Sequence, residues 1–411
     1  MPQYLSPGVY VEEVPSAIKP IAGVGTSTAG FIGIVPASVN LPAPLKGQPG
    51  KYVQVTVPPA TAGEVKLVTS WSEYVKAFGD LIGAEQETGT PATAPVTIDD
   101  GYRRLAHAVY GFFSNGGTRC YVVRVASETE LRKALDAFAA IDEIAIVAIP
   151  GVTAETAQEA VIDHCEAIQD RFAVLDGALS PTDFTKALIQ GSTKDSAYAA
   201  IYFPWIKVFD PSEKLMKPQE AGTIAVAPSG HIAGVYARMD TERGVHKAPA
   251  NEVIRDALDV QYRLSKAHQD GLNPEGVNVI RAFNGNIKIW GARTMGGDDN
   301  ADFKYVNVRR LFLFLRESID EGTQWVVFEP NDPSLWAKIT RNVTAFLTNV
   351  WRAGALFGTT PQEAFYVKCD AEINPPEQRD LGQVVTEIGV AVVKPAEFVI
   401  FRISQWAGPG K

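Results

Sequence analysis

The residues of this chain best suited to chemistry form no catalytic pattern. Ser229 and His231 are separated by a single glycine, whereas a nucleophile and its general base normally come from separate segments of a fold. The stretch Gly47-Gln48-Pro49-Gly50-Lys51-Tyr52 has the wrong spacing and the wrong last residue for a phosphate-binding loop. We therefore predict no catalytic residue, no nucleotide site and no cofactor.

Candidate metal ligands are also scattered. The run from Asp298 to Asp302 could supply the first three ligands of a calcium loop, but Phe303 stands where that loop needs Gly and Arg309 where it needs Glu. We expect a polar loop there and no metal site. The histidines are isolated, without the spacing of metal ligands, at His107, His164, His231, His246 and His268.

Length, charge and cysteine content limit the possible folds and partners. The chain has 411 residues with 46% hydrophobic composition, enough for two or three domains with cores. It carries 38 basic and 47 acidic residues, a net charge of −9, and no basic tail or stripe, so we expect no nucleic acid partner. Cys120, Cys165 and Cys369 are odd in number and far apart, which favours buried thiols in a reducing compartment over disulfides.

The amino-terminal residues and the lengths of the apolar runs bear on location. Met1-Pro2-Gln3-Tyr4 lacks the cationic start and apolar stretch of a signal peptide, and no run approaches the roughly 18 apolar residues that span a bilayer. We expect cytoplasmic synthesis and assembly, with no direct membrane insertion.

Helix-forming and strand-forming segments alternate along the first half of the chain. Such alternation favours a mostly parallel sheet with helices packed on it. The predicted strands are 28–35, 120–125, 144–149, 171–175 and 199–203, and the predicted helices are 70–79, 101–115, 128–138, 154–170, 181–190 and 232–238. The stretches 36–63 and 86–95, rich in proline, glycine and small residues, are expected to be surface loops.

A polar, turn-rich segment from Thr241 to Asn251 predicts a domain boundary. The second region is also predicted to be α/β, with strands at 277–283, 287–290 and 325–328 and a helix at 306–321. A further helix begins with Asp332 as its cap and Pro333 at its first position, and its apolar residues recur on one face.

Both ends of the chain resemble strands without a neighbouring partner in sequence. Ser6 to Pro15 is a short strand bounded by prolines, and Ala364 to Trp406 contains three strand-like runs with the turn Asn374-Pro375-Pro376-Glu377. Such edges leave N–H and C=O groups unpaired, and strand addition by a neighbouring molecule would satisfy them. The alternative is that the amino-terminal strand folds back onto its own sheet.

A resemblance to a known family runs over nearly the whole chain, through segments 7–13, 28–33, 112–117, 228–238, 290–294, 305–312 and 374–377. In these segments the sequence resembles the contractile tail sheath proteins of phages, phage-like bacteriocins and extracellular contractile injection systems. The resemblance implies a structural subunit that polymerises as stacked hexameric rings around an inner tube and contracts from a metastable extended state. It also implies terminal arms that pair with neighbouring subunits.

From that resemblance we expect two α/β domains with extended β arms at both ends. The predicted parts are an amino-terminal arm and connector, 1–22, an outer domain with the surface loops, 23–243, an inner domain facing the tube, 244–393, and a carboxyl-terminal arm, 394–411. The predicted inter-subunit residues are Val9, Tyr10, Val11 and Val14 in the first arm and Phe398, Val399, Ile400, Phe401 and Ile403 in the second. A helix with Lys338, Arg341 and Arg352 and no acid is expected to face an acidic tube surface.

The expected partners are further copies of the chain, an inner tube protein, and baseplate and terminator proteins at the ends. The final location would be a phage tail or a released injection particle. Two alternatives stay open, a static shell or surface-layer protein and an α/β hydrolase-like enzyme. A Gly-x-Ser-x-Gly elbow is absent, which disfavours the enzyme.

Overall fold

The computed structural model describes residues 20–191 and 194–402, which divide into two compact units. The first, here called the sheet unit, contains residues 24–316 and the described residues from 393 onward. The second, the C-terminal unit, contains residues 317–392 and the described residues before 24.

The sheet unit is mixed α/β. Its strands are β1 (Ala29–Ile34), β2 (Val39–Pro44), β3 (Tyr52–Val57), β4 (Lys66–Val68), β5 (Cys120–Val125), β6 (Ile146–Ala148), β7 (Phe172–Asp176), β8 (Ala199–Phe203), β9 (Ile206–Phe209), β10 (Thr223–Val226), β11 (Asp259–Val260), β12 (Val277–Phe283) and β13 (Asn286–Ile289). Its helices are α1 (Trp71–Phe78), α2 (Asp100–Ser114), α3 (Leu131–Ala139), α4 (Glu155–Ile168), α5 (Lys186–Ile189), α6 (Pro211–Met216), α7 (Ser229–Arg243), α8 (Lys266–Leu272) and the first part of α9 (Val306–Thr323).

The main sheet has eight strands in the order β13-β12-β8-β7-β6-β1-β5-β4. The six central strands run parallel, and an antiparallel strand closes each edge. The smaller sheets are antiparallel, with the orders β10-β9-β11 and β2-β3. The predicted α/β class is confirmed.

Helices cover both faces of the main sheet because its strands alternate their side chains between two cores. Phe31 packs into one core with Phe112 of α2 and Tyr236 of α7. The next residue, Ile32, packs into the other core with residues of α3 and α4. Strands buried on both faces need apolar residues at nearly every position, which explains the continuous apolar runs.

The region 36–63 is not only a loop. Strands β2 and β3 pair there as a hairpin, with Leu41 and Ala43 fully buried. Pro42 and Pro44 fit because they occupy alternate positions, and their carbonyls accept from Gly83 N and Gln86 N on the side away from β3, at 3.0 and 2.9 Å. The prediction of a loop was wrong for β2 and β3 because it rested on the proline content of the segment.

Two further predicted elements are wrong. Only Lys186–Ile189 of the predicted helix 181–190 is helical, and Asp183 accepts a hydrogen bond from Phe184 N at 2.7 Å, a local bond that competes with helix formation. The predicted strand 325–328 is a 3-10 turn followed by Phe328, which is fully exposed with φ of 66°.

The boundary predicted between residues 243 and 244 does not coincide with the division into units. Strand β12 pairs in parallel with β8, so the chain beyond residue 244 completes the main sheet. The division falls between residues 316 and 317, within α9. The assignment of an outer and a tube-facing domain stays a prediction.

The C-terminal unit is built on one long helix and a two-stranded sheet. After the last turns of α9 come α10 (Pro333–Arg352), α11 (Pro361–Ala364), β14 (Phe365–Lys368), α12 (Pro376–Asp380) and β15 (Glu387–Val390). The predicted cap of α10 is confirmed, since Asp332 accepts from Leu335 N at 2.8 Å and Pro333 opens the helix. Within residues 20–191 and 194–402, no helix is both long and apolar enough to cross a lipid bilayer.

Candidate assembly surfaces

Four consecutive large apolar residues of the C-terminal arm are exposed. Within its described part, residues 394–402, no residue belongs to a strand. The exposed fractions of Phe398, Val399, Ile400 and Phe401 are 69, 68, 78 and 84%. A contiguous apolar segment of this kind is typical of an interaction site, because leaving it in water forfeits the hydrophobic free energy of burial. Ile403 lies outside the described residues.

The residue before this segment is held by a polar network, here called the arm clasp: Glu397, Arg293, Asn273 and Tyr305. The Arg293 guanidinium binds both carboxylate oxygens of Glu397, with Nε to Oε1 at 2.8 Å and Nη2 to Oε2 at 3.0 Å. Asn273 Nδ2 donates to Oε1 at 2.7 Å and Tyr305 Oη donates to Oε2 at 2.8 Å. The arm clasp fixes both oxygens of one carboxylate.

The arm clasp is built into the body of the sheet unit. Arg293 is 2% exposed and also donates to the Asn273 carbonyl at 2.9 Å, while the Glu397 side chain is 19% exposed. Burial raises the pKa of Glu397, but the hydrogen bonds from Arg293, Asn273 and Tyr305 outweigh it and lower the pKa below the ordinary 4.5. Burial and the bond to Glu397 raise the pKa of Tyr305 to about 12. Glu397 is therefore ionised at neutral pH.

The sequence analysis missed the arm clasp. Glu397 lies 104 residues from Arg293, so no local pattern links them. Two of the segments that carry the family resemblance, 290–294 and 305–312, do contain Arg293 and Tyr305. The acidic run read as a polar loop also contributes, since Asp298 Oδ1 binds Arg293 Nη1 at 3.0 Å and Lys304 Nζ at 2.5 Å.

The predicted residues of the N-terminal arm, Val9, Tyr10, Val11 and Val14, lie outside the described residues. The chain that follows is anchored within the sheet unit at Thr26. Thr26 Oγ1 donates to Asp240 Oδ2 at 2.6 Å, and Arg310 Nη2 donates to the Thr26 carbonyl at 2.8 Å. Arg310 is 4% exposed and also binds both oxygens of Asp240. This root, like the C-terminal one, is held by a buried arginine and a carboxylate.

The two-stranded sheet of β14 and β15, here called the acceptor sheet, is incompletely covered. Among the described residues, β15 pairs with β14 alone, and none of its four residues is buried. A groove of about 290 Å³ lies beside it, lined by apolar side chains that include Ile319, Val326, Ile339, Val343, Val384 and Ile388. The acceptor sheet thus has a strand, β15, with one edge unpaired among the described residues and an apolar groove nearby.

The three predicted tube-facing cations lie on one side of α10. At 100° per residue Lys338, Arg341 and Arg352 fall within an arc of about 60°, opposite the buried face, and span roughly 21 Å of helix. Arg341 and Arg352 are exposed and Lys338 is half-buried. Among the described residues, the side chains of these cations have no hydrogen-bonding or ion-pairing partner. The cationic face is therefore available to an anionic surface.

Ser229 and His231 serve the core of the sheet unit. Ser229 donates from N and Oγ to the Asp176 carboxylate at 2.7 and 2.6 Å, which caps the start of α7. His231 is 1% exposed and lies against Gly111, and burial lowers its pKa to about 3. The Ser229 side chain binds Asp176, and among the described residues no hydrogen bond joins it to His231, whose Nδ1 is buried without a partner.

The chain is similar in sequence to proteins of phage tails. A family model described as phage tail sheath protein central domain matches residues 125–295, and one described as phage tail sheath C-terminal domain matches residues 298–405. The tail sheath protein of Vibrio phage KVP40 is 30% identical over 181 residues, 42% of this chain. That alignment spans only a quarter of the phage protein, 25% of its length.

Solved structures match over nearly the full length. One is the PVC sheath complex of an extracellular contractile injection system in the contracted state, with a TM-score of 0.73, 27% identity and 99% of each chain covered. Another is the baseplate of the anti-feeding prophage, six-fold symmetrised, with a TM-score of 0.69, 29% identity and coverage of 98% of this chain and 99% of that chain.

Proposed function

The chain belongs to the phage tail sheath protein family, and from this premise we propose that it polymerises as stacked hexameric rings around an inner tube. It is a structural protein and not an enzyme. In our proposal the sheath contracts and drives the tube through a target envelope. The free energy comes from a metastable extended packing that relaxes to a better-packed one, without nucleotide.

The observation that carries this proposal is the exposed apolar segment Phe398–Phe401 in a chain that also has an incompletely covered acceptor sheet. We propose that the segment of one subunit adds as a strand to the acceptor sheet of a neighbour. Each backbone hydrogen bond contributes about 0.5 to 1.5 kcal/mol net. Fully burying a Val, Ile or Phe side chain contributes roughly 1.5 to 3 kcal/mol. Side-chain burial is therefore the larger contribution to such a joint.

The N-terminal arm plays the matching role in this proposal, through Val9, Tyr10, Val11 and Val14. A contracting lattice must break and reform contacts between subunit bodies while the subunits stay attached. Connectors at 15–25 and 394–396 would allow that rearrangement while the paired strands hold.

The cationic face of α10 is proposed to meet the inner tube. Lys338, Arg341 and Arg352 have no partner among the described residues, which supports an acidic surface as their counterpart. At its ends the sheath would bind baseplate and terminator proteins, and the similarity to a chain in a baseplate structure supports the former. No nucleic acid partner is proposed, in keeping with the net charge of −9.

An extracellular contractile injection system is the favoured parent machine. The support for it is the chain from such a system, which matches 99% of this chain with 27% identity and a TM-score of 0.73. We propose assembly in the cytoplasm and a final location in a released particle, with a phage tail as the second candidate.

Two truncations test the proposed arms. Variants lacking residues 1–15 or 398–411 should fold with unchanged thermal unfolding and form no long sheaths, because neither deletion removes a described core residue. Negative-stain electron microscopy and sedimentation of the polymer measure the outcome. If either truncated chain forms normal sheaths, the corresponding arm is not required for polymerisation and that part of the proposal is wrong.

A static shell is the competing function, and microscopy of the full-length polymer separates the two. Our proposal predicts two sheath lengths and diameters, before and after mild acid or denaturant. A single unchanging form would favour the shell.

A further inference from the structure

Glu397, the residue just before the apolar segment of the C-terminal arm, is bound by side chains of the sheet unit. The linker 393–396 leads from the C-terminal unit, and at Glu397 the chain meets the arm clasp, whose other members all belong to the sheet unit. Glu397 N also donates to the Pro395 carbonyl at 3.1 Å, which makes a tight turn immediately before the exposed residues.

We infer that Glu397 is a positioning residue that transfers the load carried by the C-terminal arm to the sheet unit and sets the direction in which Phe398–Phe401 leave it. This inference rests on the proposed function of the arm. Without the clasp, the described part of the arm would be joined to its subunit through the linker 393–396. With it, tension on the paired strand reaches α9 and the main sheet.

The chemistry of the arm clasp suits this role. A two-point bond between a guanidinium and a carboxylate fixes direction as well as distance, which a single hydrogen bond does not. Tyr305 and Asn273 donate to the same two oxygens, so the carboxylate is held from three elements of the fold. If Glu397 were lost, Arg293 would keep its bonds to Asp298 and to the Asn273 carbonyl, and neither of these belongs to the arm. Loss of Glu397 would therefore release the arm and leave the guanidinium paired.

A second feature places the clasp at a mechanical junction. Tyr305 of the arm clasp immediately precedes α9, and Arg310, five residues on, holds Thr26 at the root of the N-terminal arm. The start of α9 therefore contacts the roots of both arms. A subunit pulled through one arm would transmit that pull to the other through one short stretch of helix.

Mobility at the arm root tests the inference directly. Ala396 is exposed and the native cysteines are buried, so Ala396→Cys allows a nitroxide label to be attached beside Glu397. In freshly purified, unassembled full-length chain the label should give an immobilised spectrum. Glu397→Gln keeps the shape and removes the charge, and it should give a mobile spectrum with unchanged thermal unfolding.

Asp298→Asn is the matched control, because Asp298 binds the same guanidinium but is 51% exposed and does not touch the arm. The label should stay immobilised in this variant. A label equally immobile in wild type and Glu397→Gln would overturn the inference, whatever the sheaths do.

The pH dependence of the label's mobility distinguishes a positioning role of Glu397 from a merely structural one. Because the pKa of Glu397 is lowered from 4.5, its contribution is fully present above pH 4.5 and is lost as the pH falls through the lowered value. The label should be immobile from pH 8 to about 5 and mobile in stronger acid, whereas Glu397→Gln should be mobile throughout. The other charged groups facing this site are Arg293, Asp298 and Lys304, with the neutral Tyr305, and the Asp298→Asn control separates their effect.

The assembly assay completes the test. Glu397→Gln should raise the protein concentration needed for sheath formation by roughly tenfold, a change that corresponds to about 1.4 kcal/mol per subunit. A mobile label with an unchanged assembly threshold would also overturn the inference. If the chain truncated before Phe398 assembles normally, the proposed function fails instead, while the label result still reports on the clasp.

Discussion

The sheet unit and the C-terminal unit differ in how completely they bury their own strands. Every residue of β6, β7 and β8 is buried, whereas β15 contains no buried residue. The arm that follows β15 exposes Phe398–Phe401. The sheet unit therefore completes its own core, whereas the C-terminal unit and the arm leave apolar surface exposed, as is typical of interaction sites.

The largest expected difference is between two phenylalanine substitutions, one in the core of the sheet unit and one in the exposed arm. Phe31→Ala removes a fully buried ring that packs against Phe112 with centroids 5.5 Å apart, and it should lower the free energy of unfolding by about 3 to 5 kcal/mol. Phe401→Ser, at an 84% exposed position, should leave unfolding within about 0.5 kcal/mol of wild type and yet prevent long sheaths. Denaturant unfolding and electron microscopy measure the two effects.

Phe209→Ser is the control for the arm substitution, because Phe209 is a half-exposed phenylalanine of the sheet unit. It should leave assembly unchanged. The comparison breaks if Phe401→Ser destabilises the monomer as much as Phe31→Ala does.

A carboxylate in the core of the main sheet and the carboxylate at the root of the arm should also respond to pH with opposite signs. Burial raises the pKa of Asp176 in the sheet unit to about 6, above the ordinary 3.8, so its contribution to stability is present in acid and is lost as the pH rises through 6. The difference in unfolding free energy between wild type and Asp176→Asn should shift by on the order of 2 to 3 kcal/mol between pH 4 and 7. Glu397 changes in the other direction, since acid removes its contribution. A flat difference between the Asp176 variants would contradict the first half of this contrast.

The smallest expected effect concerns charge. Exposed Lys46 in the sheet unit has its own partner, Glu87, at 2.6 Å, whereas the cations of α10 have none among the described residues. Lys338→Glu with Arg341→Glu should weaken binding to an acidic tube by roughly tenfold in co-sedimentation, and added salt should reduce the difference. Lys46→Glu with Lys51→Glu makes the same net change and should have little effect. Equal loss in both double variants would point to net charge alone.

Local signals in the sequence predicted much of the fold. Asp332 and Pro333 correctly predicted the start of α10, because a helix cap depends only on residues close together in sequence. The alternation of strands and helices in the first half is also visible in consecutive segments, and it predicted the parallel sheet. Pairing between distant segments was not predictable. Nothing near Val277 indicates that β12 joins β8, so the boundary at residue 243 was placed inside a continuous sheet.

The residues of the candidate site also fall into two groups, those that a local sequence pattern identifies and those that only the fold brings together. Phe398–Phe401 were identified because an apolar run is visible in one stretch of sequence. Glu397 was not identified, since its role depends on Arg293 and Tyr305, which only the tertiary fold brings within hydrogen-bonding distance. A charged residue that begins an apolar arm is a signal that could have drawn attention to it.

A high-resolution cryo-electron microscopy map of the assembled full-length sheath tests the central claim most directly. The account predicts continuous density for Phe398–Arg402 of one subunit, paired as a strand with the acceptor sheet of a neighbouring copy. Density in which those residues fold back onto their own subunit, with the edge of β15 left open or covered by something else, would contradict it.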